Sequence, residues 1–145
     1  MEKYEVIIIG AGASGLMCAL STNQPTLLIE ASDRVGKKIL ATGNGKCNIS
    51  NNVIDAGCYN TPLVAGYFKK FDQVQTLKYF EQLGIFTYAD EAGRRYPLSN
   101  SANTVLDILL KALSLKQNVT TVVNTMPMTI KQSQNGFTII TTGKS

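Results

Sequence analysis

Residues 6–30 read VIIIGAGASGLMCALSTNQPTLLIE, and the order of textures in that stretch decides the fold. Val6 to Ile9 is a β-branched run that ends in glycine, Ser14 to Leu20 are helix-compatible, and Thr26 to Glu30 reads as a second buried strand after Pro25. Strand, tight turn, helix, strand is a βαβ unit. Between its first strand and its helix lies Gly10-Ala11-Gly12-Ala13-Ser14-Gly15, a G-x-G-x-x-G sequence, and Glu30 follows twenty residues after Gly10. That spacing matches the dinucleotide-binding fold, and each position has a mechanical reason. Gly10 allows the tight turn, Gly12 lets a pyrophosphate approach the backbone, and Gly15 lets helix and strand pack closely. Around Ala13 and Ser14 the helix start offers unpaired N–H groups and a partial positive charge to phosphates. Glu30 can accept hydrogen bonds from the adenosine ribose hydroxyls, and its charge repels a 2′-phosphate there. The plainer alternative is a glycine-rich turn in some other α/β protein, with Glu30 simply exposed at a strand end.

The bulk properties narrow the class. A chain of 145 residues suits one modest domain, and 44% hydrophobic against 17% charged residues argues for a globular fold rather than disorder. A formal charge of +4 invites a nucleic-acid partner, yet the basic residues are scattered with no interleaved aromatic stripe, so none is expected. The apolar start is flanked by Glu2 and Glu5 and broken by glycines, which predicts neither a signal peptide nor a membrane span. Three cysteines, Cys18, Cys47 and Cys58, form no tight pairing pattern, so a reducing cytoplasm is the expected setting. The Asn48-Ile49-Ser50 and Asn118-Val119-Thr120 sequons are then coincidental.

Further along, residues 31–60 lack a sustained apolar period and predict a long irregular excursion of the kind that often carries function. A helix should follow Asp72, with Gln75 completing a capping box, Leu77, Phe80 and Leu83 on its apolar face, and Gly84 ending it. IFTYADEAGRRYP, residues 85–97, predicts two short strands around a turn at Glu91 to Gly93. Asn100 or Ser101 should cap a helix reaching Leu115, with Val105, Ile108, Leu109 and Ala112 on one side, the clearest core element of the chain. A strand within residues 118–125 and a hairpin turning at Ser133 to Gly136 complete the pattern. The final residues stop where a further turn would begin, as in a truncated chain.

ATGNGKCNISN, residues 41–51, tempts a P-loop reading that fails. Leu40 stands where G-x-x-x-x-G-K-[ST] needs its first glycine, and Cys47 follows Lys46 in place of Ser or Thr. The terminal Gly143-Lys144-Ser145 fails too, because Thr138 occupies its first glycine position. A redox dithiol would need a second cysteine closer to Cys47 than Cys58. Glycines beside a lysine do make an anion-friendly concavity, although from these residues alone a solvated surface loop with idle Lys37 and Lys38 is the favoured reading.

Taken together, GAGASGLMCA, LLIEASDRVGKKILATGNGKCNISN and GRRYPLSNSANTVLDILL resemble the N-terminal part of a bacterial flavoprotein family. Its members are described as aminoacetone-oxidase-like, or as NAD(P)/FAD-dependent oxidoreductases that include bile-acid reductases. The resemblance implies a Rossmann-like α/β FAD-binding domain, a parallel sheet with flanking helices and a β-hairpin appendage. It also implies a longer family chain with an inserted substrate domain and a C-terminal return. FAD is the implied cofactor and NAD(P)H the implied donor, with hydride passing through the flavin to a small organic substrate or to oxygen. By the family pattern, Lys38 and Thr42 would reach phosphate or ribitol oxygens, Gly43, Asn44 and Gly45 would let backbone pass close to the cofactor, and Lys46, Cys47 and Asn48 would sit nearby. Two residues depart from the pattern. Lys46 replaces an arginine and loses its planar fork, and Pro127 lacks the backbone N–H that related flavoproteins place on adenine. Arg94 or Arg95, in a G-R-x-[FY]-P match, would face a substrate anion or a nicotinamide phosphate, unless both are ordinary surface arginines. Tyr59, Tyr67, Phe68 and Phe71 read as packing residues rather than a flavin-stacking group. With no histidine and no informative carboxylate pair, the sequence names no catalytic acid or base.

Overall fold

A computed structural model describes residues 2–142. The chain divides into two compact units, residues 1–39 with 111–145 and residues 40–110. Among the described residues no helix is long and apolar enough to cross a membrane.

The first unit is built on a parallel sheet of order β1-β2-β6, with β1 Val6–Ile9, β2 Thr26–Ile29 and β6 Val119–Val122. Parallel neighbours need a crossover, and α1, Ala13–Ser21, supplies the one between β1 and β2. As the central strand, β2 is covered on both faces, and Thr26, Leu28 and Ile29 are buried. The buried Thr26 hydroxyl is satisfied by donating to the Gln24 carbonyl at 2.7 Å. Asn118 fixes the start of β6, since its Nδ2 donates to the carbonyls of Thr22 at 3.3 Å and Gln24 at 2.8 Å. The anticipated hairpin is present as β7, Met126–Ser133, paired antiparallel with β8, Gly136–Thr142. Pro127 sits beside a register shift between Pro127 and Thr129, where a residue without an N–H disturbs the ladder least.

The second unit carries an antiparallel sheet of order β3-β5-β4, with β3 Ser50–Asn51, β4 Thr87–Ala89 and β5 Arg94–Pro97. Residues 31–60 are therefore not wholly irregular, because β3 pairs with β5. A short α2, Val64–Phe68, was not foreshadowed by any periodicity. As expected, α3, Gln73–Gln82, opens with a full capping box. The Asp72 carboxylate accepts from the Gln75 N–H at 2.9 Å and the Gln75 side chain accepts from the Asp72 N–H at 2.8 Å. The helix α4, Ala102–Ser114, follows Ser101. Its buried stripe is Ala102, Val105, Leu106, Leu109 and Leu113, and Ile108 and Ala112 are half-buried at the edge of the same apolar side. Asn103, Thr104, Asp107, Lys111 and Ser114 line the opposite, exposed side, so the amphipathic pattern itself selects the inner face. Tyr59 and Phe68 meet edge to face with centroids 5.3 Å apart, while Tyr67 and Phe71 are exposed.

Candidate functional site

In the first unit the glycine turn has the geometry its spacing demands. Gly10 holds φ at +92°, and its N–H donates to the Ile29 carbonyl at 2.8 Å, tying the turn to the end of β2. A Cβ at Gly15 would fall 1.9 Å from the Gly10 carbonyl oxygen, so only glycine lets α1 start this close to β1. Gly12 is different: a Cβ there meets nothing within 4 Å. Gly12 is also the N-cap of α1 and no side chain caps the helix, so the N–H groups of its first turn, around Ala13 and Ser14, have no side-chain acceptor.

Glu30 closes the arrangement from the other side. One carboxylate oxygen accepts from the Ala11 N–H at 2.8 Å, and the other accepts from the Ser32 N–H at 2.8 Å and the Ser32 hydroxyl at 2.6 Å. These bonds, Ser32 first and Ala11 after it, hold the Glu30 carboxyl below the usual glutamate range. Ala11 is pinned a second time, because its carbonyl accepts from the Gly36 N–H at 2.8 Å. Ala11 and Ser32 are the residues that sequence reasoning missed. The signal for Ser32 was only a hydroxyl two residues beyond the acid, and Ala11 acts through its backbone. Lys38 is exposed and forms no ion pair among the described residues, whereas Lys37 pairs with Asp33 at 3.2 Å.

The other predicted residues, Thr42 to Asn48, belong to the second unit. From Ile39 to Gly45 the chain winds through tight turns broken by a kink, where Gly43 and Asn44 hold φ at 55° and 53°. Gly45 at 80° and Cys47 at 62° continue this left-handed run. Gly43 is required twice over: a Cβ there would lie 2.7 Å from the Asn48 amide nitrogen and 3.0 Å from the Tyr96 ring. Two backbone bonds close the loop, Lys46 N–H to the Gly43 carbonyl at 3.1 Å and Cys47 N–H to the Thr42 carbonyl at 3.0 Å. Thr42, Asn44, Gly45, Lys46 and Asn48 are exposed, and Cys47 is buried. Burial pushes the Cys47 thiol up, against a weaker opposing hydrogen bond with Thr42, so it is a poor nucleophile near neutral pH. The segment is a wound, strained loop, not a slack surface connection.

The profile of the HI0933-like protein Rossmann domain matches residues 4–145. The chain belongs to this HI0933-like family. A 3-dehydro-bile acid delta(4,6)-reductase of Clostridium scindens is 36% identical to the HI0933-like chain, over 94% of it and 35% of the relative. A ribosomal RNA dihydrouridine synthase of Escherichia coli is 30% identical, over 96% of the chain and 36% of the relative. The chain thus spans about a third of the length of these curated relatives. Among solved structures, the E. coli quinol fumarate reductase subunit FrdA aligns with a TM-score of 0.63 at 13% identity, over 95% of the chain and 29% of that structure. The bacillithiol disulfide reductase Bdr of Staphylococcus aureus aligns at 0.53 and 21% identity, over 99% and 35%. At those identities the likeness concerns the fold, and it agrees with the Rossmann architecture of the HI0933-like family.

Proposed function

We propose that this chain is the cofactor-binding portion of a flavin-dependent oxidoreductase that holds FAD and passes hydride from reduced nicotinamide to a small organic substrate. The observation that carries the reading is the turn from Gly10 to Gly15, with open space at Gly12 beside an uncapped helix start. That combination suits a diphosphate, which would take the first-turn N–H groups of α1 as donors. Glu30 uses its oxygens for three internal bonds, and a carboxylate has about four lone-pair sites, so one ribose hydroxyl can still be accepted. Ser32 and Ala11 hold that carboxylate ionised and fixed in direction. Lys38, in the same unit as the glycine turn, supplies an uncommitted positive charge. Bound FAD would supply the hydride chemistry, and the protein supplies binding and orientation.

The names of the two relatives support a substrate class. Reduction of a 3-dehydro bile acid at its 4,6 double bonds and of uridine to dihydrouridine both saturate a C=C bond conjugated to a carbonyl. In such a reaction the alkene gains a hydride at one carbon and a proton at the other while reduced nicotinamide is oxidised. A second reading keeps this chemistry and replaces the small molecule by a uridine within RNA. The name of the dihydrouridine synthase relative is what favours it.

The test is a fluorescence titration of the purified chain with FAD, with NAD as competitor. Saturable FAD binding that NAD does not displace is expected. Displacement by NAD would instead favour an NAD-binding dehydrogenase domain. A folded chain, verified by circular dichroism, that binds no FAD would retire the reading. Turnover of reduced nicotinamide with an enone acceptor separates an active oxidoreductase from a binding fragment without chemistry.

A further inference from the structure

The parallel ladder between β2 and β6 breaks its own pattern at its end. The strands run in register from Thr26 against Val119 to Ile29 against Val122, and the Glu30 N–H donates to the Val122 carbonyl at 2.8 Å. Parallel strands exchange evenly spaced bonds, each residue of one strand bridging two on its neighbour. Continued regularly, the Glu30 carbonyl would accept from the Asn124 N–H, and the Ser32 N–H would donate to the Asn124 carbonyl. Both bonds are redirected. The Glu30 carbonyl accepts from the Thr125 N–H at 3.0 Å, one residue late, and the Asn124 N–H donates to the Ser32 carbonyl at 2.9 Å. Asn124 is thus the extra residue of a bulge, and its φ of 52° lies in the left-handed region.

The slip frees a donor for the side chain of Glu30. Released from the ladder, the Ser32 N–H donates to the Glu30 carboxylate at 2.8 Å, and the Ser32 hydroxyl donates to the same oxygen at 2.6 Å. Ser32 is itself anchored through its carbonyl by Asn124, so one carboxylate oxygen faces a fixed pair of donors while the other accepts from Ala11 at 2.8 Å. The groups that lower the Glu30 carboxyl are Ser32 first, then Ala11 and Ala31, with no charged side chain among them. Asn124 is exposed, so it contributes through its backbone conformation and not through burial. Asparagine is one of the few residues with a side chain that enters the left-handed region readily.

We propose that Asn124 is a positioning residue for the cofactor site: its left-handed bulge withdraws Ser32 from the ladder and so aims the Glu30 carboxylate at the ribose of the dinucleotide. The ribose half of this statement rests on the flavin reading, and the coupling of Asn124 to Glu30 does not.

The experiment follows the Glu30 carboxyl ¹³C signal of the 145-residue chain through an acid titration without FAD, and then FAD affinity by fluorescence at neutral pH. Asn124→Val puts a β-branched side chain at a φ that such residues avoid, which disfavours the bulge. The Glu30 titration midpoint should rise towards the ordinary glutamate range as the Ser32 donors move away, and FAD affinity should fall roughly tenfold. Asn124→Gly adopts the same φ at no steric cost and should restore both the wild-type titration and the wild-type affinity. Asn124→Ala, with a smaller side chain, should move Glu30 in the same direction by less, and it keeps the test open should Asn124→Val fail to fold. A merely structural role would lower the thermal midpoint of Asn124→Val and leave Glu30 titrating as in wild type. That outcome overturns the proposal, as would an equal rise in Asn124→Gly. A raised Glu30 midpoint with undiminished FAD affinity would overturn the cofactor role. A wild type that binds no FAD retires the flavin reading and the ribose half with it, whereas the coupling is decided by the titration alone.

Discussion

Gly12 and Gly15 stand three residues apart in one turn, and their surroundings dictate opposite phenotypes. A methyl group at Gly15 would drive into the Gly10 carbonyl at 1.9 Å, an obstacle made of backbone that cannot swing aside. Gly15→Ala should therefore lower stability by about 1–3 kcal/mol or more in urea unfolding. Gly12 has room and an ordinary φ of −75°, so Gly12→Ala should keep the fold to within about 1 kcal/mol. FAD affinity should nevertheless fall, because the added methyl occupies the space proposed for the pyrophosphate. Equal unfolding midpoints for the two variants would contradict this division of labour. Glu30 gives a pH signature at the same scale. Its folded pKa is depressed by Ser32 and Ala11, so its contribution is present above the unfolded glutamate value and is lost as pH falls through the folded one. Wild type should exceed Glu30→Gln in stability near neutral pH, and the gap should narrow by about pH 3. A gap that widens on acidification would invert the assignment.

At the scale of elements, α3 is the cleanest case of a helix start written in sequence. Its capping box satisfies two terminal donors reciprocally, so Asp72→Ala should reduce stability by about 1 kcal/mol, readable as a lower thermal midpoint. An unchanged midpoint would mean that this exposed helix end frays without consequence. Elements of this kind were legible because their signals are local: β-branched runs for β1 and β2, a capping pair for α3, a turn sequence for the β7–β8 hairpin. The two-residue β3 was not legible, since it exists only through pairing with β5, Ser50 against Arg95 and Asn51 against Arg94. The apolar side of α4 was legible, but not where its buried stripe is centred. Val105, Leu106, Ile108, Leu109 and Leu113 form one broad apolar side, and burial is deepest on the part that includes Leu106 and Leu113, with Ile108 half-buried at its edge. In the candidate site the glycine spacing and Glu30 could be read directly. The double anchoring of Ala11 could not, because backbone N–H and carbonyl groups carry no residue-type signal. The different bonds of Arg94, to Asp90, and of Arg95, to Asn52, were equally hidden, since they turn on which face of β5 each residue occupies.

Across the whole molecule, apolar surface is concentrated where it does least for the fold. On the β7–β8 hairpin Met126, Met128, Ile130, Phe137 and Ile140 are between 49% and 64% exposed, a density unusual for strands that face water. Their burial contributes little, so removing them should not loosen the chain. Ile130→Thr with Phe137→Thr keeps residues that favour extended backbone while deleting apolar area. The pair should change unfolding free energy by no more than about 0.5 kcal/mol per site, the range of ordinary surface substitutions. Light scattering should begin at a higher protein concentration than in wild type, because strand edges with apolar faces are templates for association. A net charge of +4 adds only modest repulsion between copies, so the hairpin and not the charge should dominate that onset. If the double variant instead lost stability well beyond this range, the hairpin faces would be packed in solution, and the exposed strip would be an internal surface of the folded protein.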